Sequence, residues 1–365
     1  MTPIEKILIG KIENEGPVSL ETFMEMALGH PEHGYYRTRD PFGAKGDFTT
    51  APEVSQMFGE LIGLWCADLW MQMGKPENFI LSECGPGRGT LMADALRAAR
   101  SVHGFSQAVE IHLIETSPFL REKQKKTIHT YSPHFHENIE GLRNVQRGRP
   151  LILIANELLD ALPIRQFSWR DRQWKERLVN YKIDMGFHFI WKNSSLPHTP
   201  LFEPEENAIC EIGLARDAFV RDAAALTKNG GAALFIDYGY MKTAPGDTLQ
   251  ALKDHKFEDV LDNIGEADIT AHVNFETCTR EAGEQGAEVF GPVTQGRFLL
   301  SLGLAQRSEA LIQSVSAGMK DSIGAQNTVQ EIKSAVLRLS SPSEMGQLFK
   351  VLCVSHDKSI RPAGF

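Results

Sequence analysis

The segment Leu81-Ser-Glu83-Cys-Gly85-Pro86-Gly87-Arg-Gly89-Thr90 constrains this chain more than any other. A short apolar run, Phe79-Ile-Leu-Ser82, leads into it, and Leu91, Ala95, Leu96 and Ala99 follow at helical spacing. Strand, glycine turn and helix in that order let the backbone approach a ligand closely. They also aim unpaired N–H groups at that ligand from the positive end of a helix. A dinucleotide fingerprint spaces its glycines as G-x-G-x-x-G. Here the third glycine arrives one residue early, Thr90 takes the last position, and an acidic residue, Glu83, precedes the first.

The same alternation continues downstream. Val109–Ile114 reads as a strand, 117–130 as a helix, and Pro150-Leu-Ile-Leu-Ile154 as a strand buried on both faces. Residues 208–228 read as a helix ended by Gly230 and Gly231, before a further buried strand, Ala232-Ala-Leu-Phe-Ile236. Residues 348–354 supply a final strand. Strands alternating with helices predict an α/β protein built on a parallel sheet. Two segments interrupt the pattern. Residues 166–191 alternate apolar and polar, with Phe187, Phe189 and Trp191, and predict an antiparallel insertion. Residues 243–345 are mixed, with helices near 305–319 and 329–339. The expected division is a helical cover with an active-site loop over 1–75, then a core over 76–365 with insertions near 166–205 and 243–345. Within the cover, Ser19 begins a helix over 20–28, and a turn-rich stretch runs from His30 to Asp47. Thr50-Ala-Pro-Glu53 reads as a capping box ahead of Val54, Phe58, Leu61, Ile62, Trp65 and Leu69.

Composition narrows the function classes. The chain has 365 residues, 38 basic and 47 acidic, for a net charge of −9. That balance opposes non-specific nucleic-acid or anionic-membrane binding, which needs basic surface. The five scattered cysteines show no C-x-x-C pair or zinc-ligand spacing, so reduced thiols and no metal site are expected. The longest apolar stretch, 61–73, is too short for a membrane span and contains Asp68, so no membrane insertion is expected. The opening Met1-Thr-Pro-Ile-Glu-Lys lacks the pattern of a signal or transit peptide, and a cytoplasmic location is expected.

The E-x-G-x-G-x-G spacing resembles that of class I S-adenosylmethionine (SAM) methyltransferases. Their ligand carries a carboxylate and an ammonium where NAD has a pyrophosphate. Cofactor contacts are therefore expected at Glu83, Gly85, Pro86, Gly87, Gly89, Thr90 and Asn156. Glu115, ending the second strand, suits the ribose hydroxyls. In open α/β sheets the reaction crevice lies beyond the carboxyl ends of the strands. Asn156-Glu157-Leu-Leu-Asp160 and Asp237-Tyr238-Gly239-Tyr240 both leave strands there, which makes Glu157, Asp160 and Asp237 the catalytic candidates. A helix start or a strand-end turn would also explain these carboxylates.

Several longer motifs point to one group: His33-Gly-Tyr-Tyr36, Arg39-Asp-Pro-Phe-Gly43, Gly46-Asp-Phe48, Thr50-Ala-Pro-Glu53, Ser55-Gln-Met-Phe-Gly-Glu60, Gly85-Pro-Gly-Arg-Gly-Thr90 and Thr270-Ala-His-Val273. From about Ile4 to Val354 the chain resembles the MidA-like methyltransferases, whose eukaryotic members are mitochondrial complex I assembly factors. The resemblance implies a Rossmann-like, SAM-dependent enzyme with an N-terminal helical cover. It also implies methylation of an arginine on a protein partner, a subunit of NADH–quinone oxidoreductase. Gly46, Asp47, Thr49 and Thr50 would close over cofactor and peptide, with His272 on the substrate side. His272 also reads as a strand histidine with its hydrogen bonds met. Two positions depart from pattern. Better-known arginine methyltransferases carry a second glutamate nine residues after the first, and here Gln166 stands nine after Glu157. Asn274 replaces the family's usual aspartate. A small-molecule methyltransferase and a non-catalytic, SAM-binding assembly chaperone remain the alternatives. A nucleic-acid adenine methyltransferase fits less well, because Glu157-Leu-Leu follows Asn156 where Pro-Pro-aromatic is needed. A nicotinamide dehydrogenase is the most distant.

Overall fold

The computed structural model describes residues 1–38, 50–318 and 322–365. Among them the central sheet has eight strands. Its main members are β1 (Phe79–Cys84), β2 (Val109–Ile114), β3 (His134–His136), β4 (Leu151–Asn156), β5 (Gly231–Tyr240), β6 (Glu288–Thr294) and β7 (Phe349–Ser355). They lie in the order β3-β2-β1-β4-β5-β7-β6, and Val273–Asn274 pairs alongside the end of β5. β3, β2, β1, β4 and β5 are parallel, while β7 runs antiparallel to both β5 and β6. The expected α/β class is therefore observed, with one reversed strand in a mixed sheet. β1 and β4 are buried along their whole length, as apolar runs covered on both faces must be.

Each face of the sheet carries an apolar layer. Helices Gln56–Gln72 and Thr90–Ala99 cover one face, joined by Phe298, Leu304 and Leu339 from the C-terminal helices. Helices Ile139–Gln146, Leu214–Leu226 and Phe275–Glu284 cover the other. A third cluster joins the helices Pro3–Glu15 and Leu20–Gly29 to Ile164, Val179, Ala251 and Ile269. The two N-terminal helices thus roof over parts of both long insertions. All five cysteines are buried and unpaired. No helix among the described residues is long and apolar enough to cross a membrane.

Three local expectations are corrected. Residues 208–228 are not one helix. Ile209–Ile212 forms a strand against Arg165–Arg170, and the helix starts only at Leu214. The alternation places Cys210 and Ile212 beside Phe167, and burying them as a strand outweighs extending the helix by one turn. The antiparallel insertion itself is present, as Arg165–Arg170, Gln173–Lys182 and Gly186–Asn193. Second, the mixed segment 243–345 contains β6, an edge strand of the central sheet. Third, Thr50 makes no side-chain cap. Its helix is only Ala51–Val54, and Ser55 breaks the chain and caps Gln56–Gln72 by accepting from the Met57 N–H. Glu53 turns away from the expected box because the Thr90 hydroxyl donates to it at 2.6 Å and the Arg88 guanidinium lies 3.5 Å away.

The helix behind the glycine turn is placed by two glycines on its neighbour. A Cβ on Gly63 would lie 2.2 Å from the Ala95 carbonyl oxygen, and one on Gly59 would lie 2.6 Å from the Asp94 Cβ. Only glycine lets Gln56–Gln72 approach Thr90–Ala99 this closely. Gly63→Ala should gain about 0.8–1 kcal/mol of helix propensity. Overpacking should cost about 1–3 kcal/mol and win. The expected outcome is a lower Tm in thermal unfolding; an unchanged or raised Tm would contradict the close packing.

Candidate functional site

The site begins where β1 ends. The Gly85 N–H donates to the Ile114 carbonyl at 3.0 Å, and Gly85, Gly87 and Gly89 all adopt positive φ, +64°, +53° and +82°. A Cβ on Gly85 would also meet Leu158 at 2.9 Å, so this turn needs glycine for both space and conformation. The Pro86 carbonyl accepts from the Gly89 N–H at 2.7 Å and closes the turn. Gln124, fully buried on the helix Pro118–Thr127, donates to the Gly87 carbonyl at 2.7 Å and to Glu115 Oε2 at 3.1 Å. Glu115 Oε1 accepts from the Ser117 N–H at 2.7 Å. Burial raises the Glu115 pKa, and these donors partly oppose it. With the Ser117, Gln124 and Thr116 donors counted, the carboxylate keeps acceptor capacity for one further donor from a ligand.

Around these groups opens a cavity of about 840 Å³. It brings together five of the expected residues outside the N-terminal loop, Gly85, Gly87, Glu115, Glu157 and Asp160, and reaches His272. Glu83, Thr90 and Asn156 sit elsewhere. Glu83 lies beneath the glycine turn and accepts from the Met92 N–H in the first turn of its helix. This supplies the cap that Gly89 cannot. Burial pushes its pKa up to about 8. The Thr90 hydroxyl is committed to Glu53. Asn156 is buried and donates to Glu157 Oε1 at 3.2 Å. Gly46, Asp47 and Thr49 lie outside the described residues. Thr50 is buried, and its carbonyl accepts from the N–H groups of Glu53 and Val54.

The wall opposite the glycine turn is the segment leaving β4. Glu157 holds φ +51°, a conformation that costs an L residue about 1–3 kcal/mol and marks functional sites. Its Oε1 accepts from the Ala51 N–H at 2.8 Å. Burial pushes its pKa up to about 7; the Ala51 N–H opposes this and Asp160 adds to it. Asp160 is buried and bonded to the Tyr238 hydroxyl, with its Oδ1 lacking a partner among the described residues. Burial raises its pKa as well.

Asp237 is not part of the cavity wall, which corrects its expected place beside the substrate. It is fully buried, and its carboxylate accepts from four backbone N–H groups, those of Leu158, Leu159, Asp160 and Tyr238. Oδ2 takes the three N–H groups of the turn after β4, and Oδ1 takes that of Tyr238 in its own strand. Gln166 is equally remote: it bonds Glu211, Asp247 and Arg177 within the insertion. Asn274 caps the helix Phe275–Glu284 by accepting from Glu276 and Thr277 N–H groups, a role open equally to aspartate.

Asp268 and Arg216 carried no sequence signal, whereas Tyr36, Tyr238 and Thr270 stood inside the motifs noted above without being assigned a role. Tyr36, Tyr238, Asp268 and Thr270 line the cavity. The Tyr36 hydroxyl donates to Asp268 Oδ1 at 2.7 Å. Buried Arg216 donates to the carbonyls of Asp160, Ala271 and His272 at 3.0, 2.7 and 2.7 Å. It thereby ties the turn after β4 to the segment carrying His272. The His272 ring packs edge-on to Tyr238, and burial lowers its pKa. Away from the cavity, ligand atoms of Glu110, His112 and His134 fall within 4.8 Å of one another. There Glu110 already accepts from Arg149 at 2.6 Å and pairs with His112 Nε2 at 2.7 Å.

Comparisons agree with this arrangement. Residues 61–293 match the family described as "Putative S-adenosyl-L-methionine-dependent methyltransferase". The Drosophila melanogaster protein arginine methyltransferase NDUFAF7 homolog is 34% identical over 96% of this chain and 84% of its own. The Homo sapiens NDUFAF7 is 33% identical over 96% of this chain and 82% of its own. A Burkholderia thailandensis crystal structure with bound S-adenosyl-homocysteine superposes with a TM-score of 0.82, at 26% identity over 98% of this chain and 92% of that one. A glycine turn facing a strand-end carboxylate across an acidic cavity, in a chain matched along nearly its whole length, places this protein in the family of S-adenosylmethionine-dependent methyltransferases.

Proposed function

We propose that this chain methylates an arginine side chain of a protein substrate. One observation carries the reading. The cavity is lined by six carboxylates, Glu115, Glu137, Glu157, Asp160, Asp222 and Asp268, of which Asp222 is paired with Arg143 at 2.6 Å, and by no lysine or arginine among the described residues. Such a wall attracts cations and repels phosphates. The two cations to be accommodated are the sulfonium cofactor and a guanidinium. Bound SAM would supply an electrophilic methyl group and leave as a neutral thioether, and the proton released from the attacking nitrogen would pass to a carboxylate of the wall or to water. The residues fit that cofactor: Gly85 and Gly87 clear space for it, and Glu115 offers a lone pair to its ribose.

Arginine is a poor nucleophile, because its charge is spread over three nitrogens and its pKa exceeds about 12. A carboxylate bonded to two of those nitrogens holds the positive charge there and leaves electron density on the third. Glu157 is the residue we assign to that role, and Asp160 Oδ1, which lines the same cavity, is the proposed second acceptor. Alignment supplies much of the remaining acceleration, since reacting atoms must meet at about 3–3.5 Å. Substrate identity follows the relatives named as protein arginine methyltransferases and the resemblance to complex I assembly factors. A subunit of NADH–quinone oxidoreductase is accordingly the proposed partner. The proposed roles are cofactor-binding for Gly85, Gly87 and Glu115, and charge-holding for Glu157 and Asp160.

Glu115→Ala should weaken SAM binding by about 1–3 kcal/mol in calorimetry, the cost of leaving ribose hydroxyls unpaired. Affinity within twofold of wild type would remove Glu115 from the ribose. Glu157→Gln should cut turnover on an arginine-bearing protein substrate by about 100-fold or more while leaving SAM affinity nearly intact. Undiminished turnover, or label from methyl-labelled SAM recovered on lysine, would refute the proposal. The pH profile follows from the raised pKa of about 7. A carboxyl group is charged above its pKa, so kcat/KM should fall as pH drops through about 7. In Glu157→Gln that acid limb should disappear.

A further inference from the structure

The chain lacks the cysteine spacing of a zinc site, yet the sheet brings three ligand-type side chains together from two strands. We propose that Glu110, His112 and His134 form a binding site for a divalent transition metal of the zinc type. The site lies at the β3 edge of the central sheet, and none of the three residues lines the cavity.

The register of the sheet assembles the set. β2 and β3 run parallel, and His112 stands opposite His134. Glu110 precedes His112 by two residues on β2, so strand alternation puts all three side chains on one face. One donor atom from each lies within 4.8 Å of the others. Glu110 Oε1 is 2.7 Å from His112 Nε2 and 3.7 Å from His134 Nε2. A zinc ion bonded to imidazole and carboxylate at about 2.0–2.2 Å holds neighbouring donor atoms about 3–3.6 Å apart. The observed spacings bracket that range. The His134 side chain is 60% exposed at the sheet edge, so it can turn to close the set without disturbing the core.

The surrounding hydrogen bonds orient the ligands. Arg149 donates to Glu110 Oε2 at 2.6 Å and leaves Oε1 beside the two histidines. His112 is buried, and its Nδ1 lies 2.8 Å from His136 Nε2, with the two rings within 4° of coplanar. Metal binding exchanges the proton on His112 Nε2 for one on Nδ1. His136, as its Nδ1–H tautomer, accepts that proton's hydrogen bond, the outer contact that fixes a metal-bound imidazole. Two imidazoles and one carboxylate suit zinc, whereas calcium and magnesium prefer oxygen ligands throughout. Three protein ligands leave a fourth position for water on the exposed His134 side. The Arg149 charge opposes the metal's own, so micromolar rather than nanomolar affinity is expected.

The site adjoins the cavity through the backbone. The His136 carbonyl accepts from the Glu115 N–H at 3.0 Å, and Glu137 and Asn138, next along the chain, line the cavity. β3 has only three residues. A metal joining His134 to β2 therefore pins the short strand that leads into this part of the wall.

The test uses the whole chain, dialysed against EDTA and then metal-free buffer, and titrated calorimetrically with zinc sulfate. Wild type should bind one zinc per chain, and zinc should raise its Tm. His134→Ala removes an exposed ring and should leave the fold and S-adenosyl-homocysteine affinity intact. It should weaken zinc binding by about tenfold or more, at least the loss caused by removing an outer partner of a ligand, and abolish the Tm rise. His103→Ala, at an exposed histidine elsewhere, should bind zinc as wild type does. No stoichiometric zinc binding by wild type overturns the proposal. So does binding that persists undiminished in His134→Ala, or that is weakened equally in His103→Ala.

Discussion

The active wall hangs on one buried carboxylate. Asp237, at the end of β5, accepts from the N–H groups of Leu158, Leu159, Asp160 and Tyr238. A chain leaving the end of a buried strand has amide groups with no ladder partner, and each costs free energy if left unpaired. Asp237 absorbs three of them from the turn after β4. That turn in turn holds Glu157 at φ +51° and directs Asp160 into the cavity. The arrangement concentrates negative charge, and burial raises the Asp237 pKa well above the ordinary carboxylate range. Arg216 answers from the opposite side, lowering the cost electrostatically while its N–H groups hold three carbonyls. Neutral backbone is thus used twice: its amides bind the carboxylate and its carbonyls bind the guanidinium.

Which parts of this could be read from the sequence follows from the range of the interactions involved. β2 is found with the bounds Val109–Ile114 that its apolar run suggested, and β4 and β5 with bounds close to theirs, because strand burial is written in local composition. The glycine turn was legible because positive φ at three closely spaced positions strongly favours glycine. Thr50–Glu53 misled because a capping box is a local option, and a distant partner, Thr90, outcompeted it. The box that does form is at Thr2 and Glu5, where the Thr2 hydroxyl accepts from the Glu5 N–H while it donates to the Ile264 carbonyl, so the two demands do not compete. The contacts of Gln124, Arg216, Tyr36 and Asp268 were invisible for a related reason. Their partners lie from 9 to 232 residues away, and no periodicity records such contacts. Asp237 was found as a residue but misplaced in role, since sequence shows a carboxylate at a strand end and not which way its oxygens point.

The chemistry asks little covalent help of the protein. It needs a cofactor and an acceptor held in line, water kept away, and positive charge drawn off the attacking nitrogen. The architecture divides these tasks among elements. The turn after β1 and the end of β2 carry the residues proposed to hold the cofactor, and two glycines on the helix Gln56–Gln72 set where that turn sits. The turn after β4 carries the carboxylates proposed to face the acceptor. The backbone of Ala51 reaches across to Glu157, and Tyr36 to Asp268, so the N-terminal segment touches two acidic groups of the cavity wall.

A crystal structure of the chain with S-adenosyl-homocysteine and an arginine peptide tests the central claim most directly. The account predicts the adenosine ribose on Glu115 and the guanidinium within about 2.7–3.2 Å of Glu157, the range of a direct hydrogen bond, on the same side of the cavity as Asp160. A guanidinium bound away from these carboxylates, with Glu157 still bonded only to Ala51 and Asn156, would contradict it.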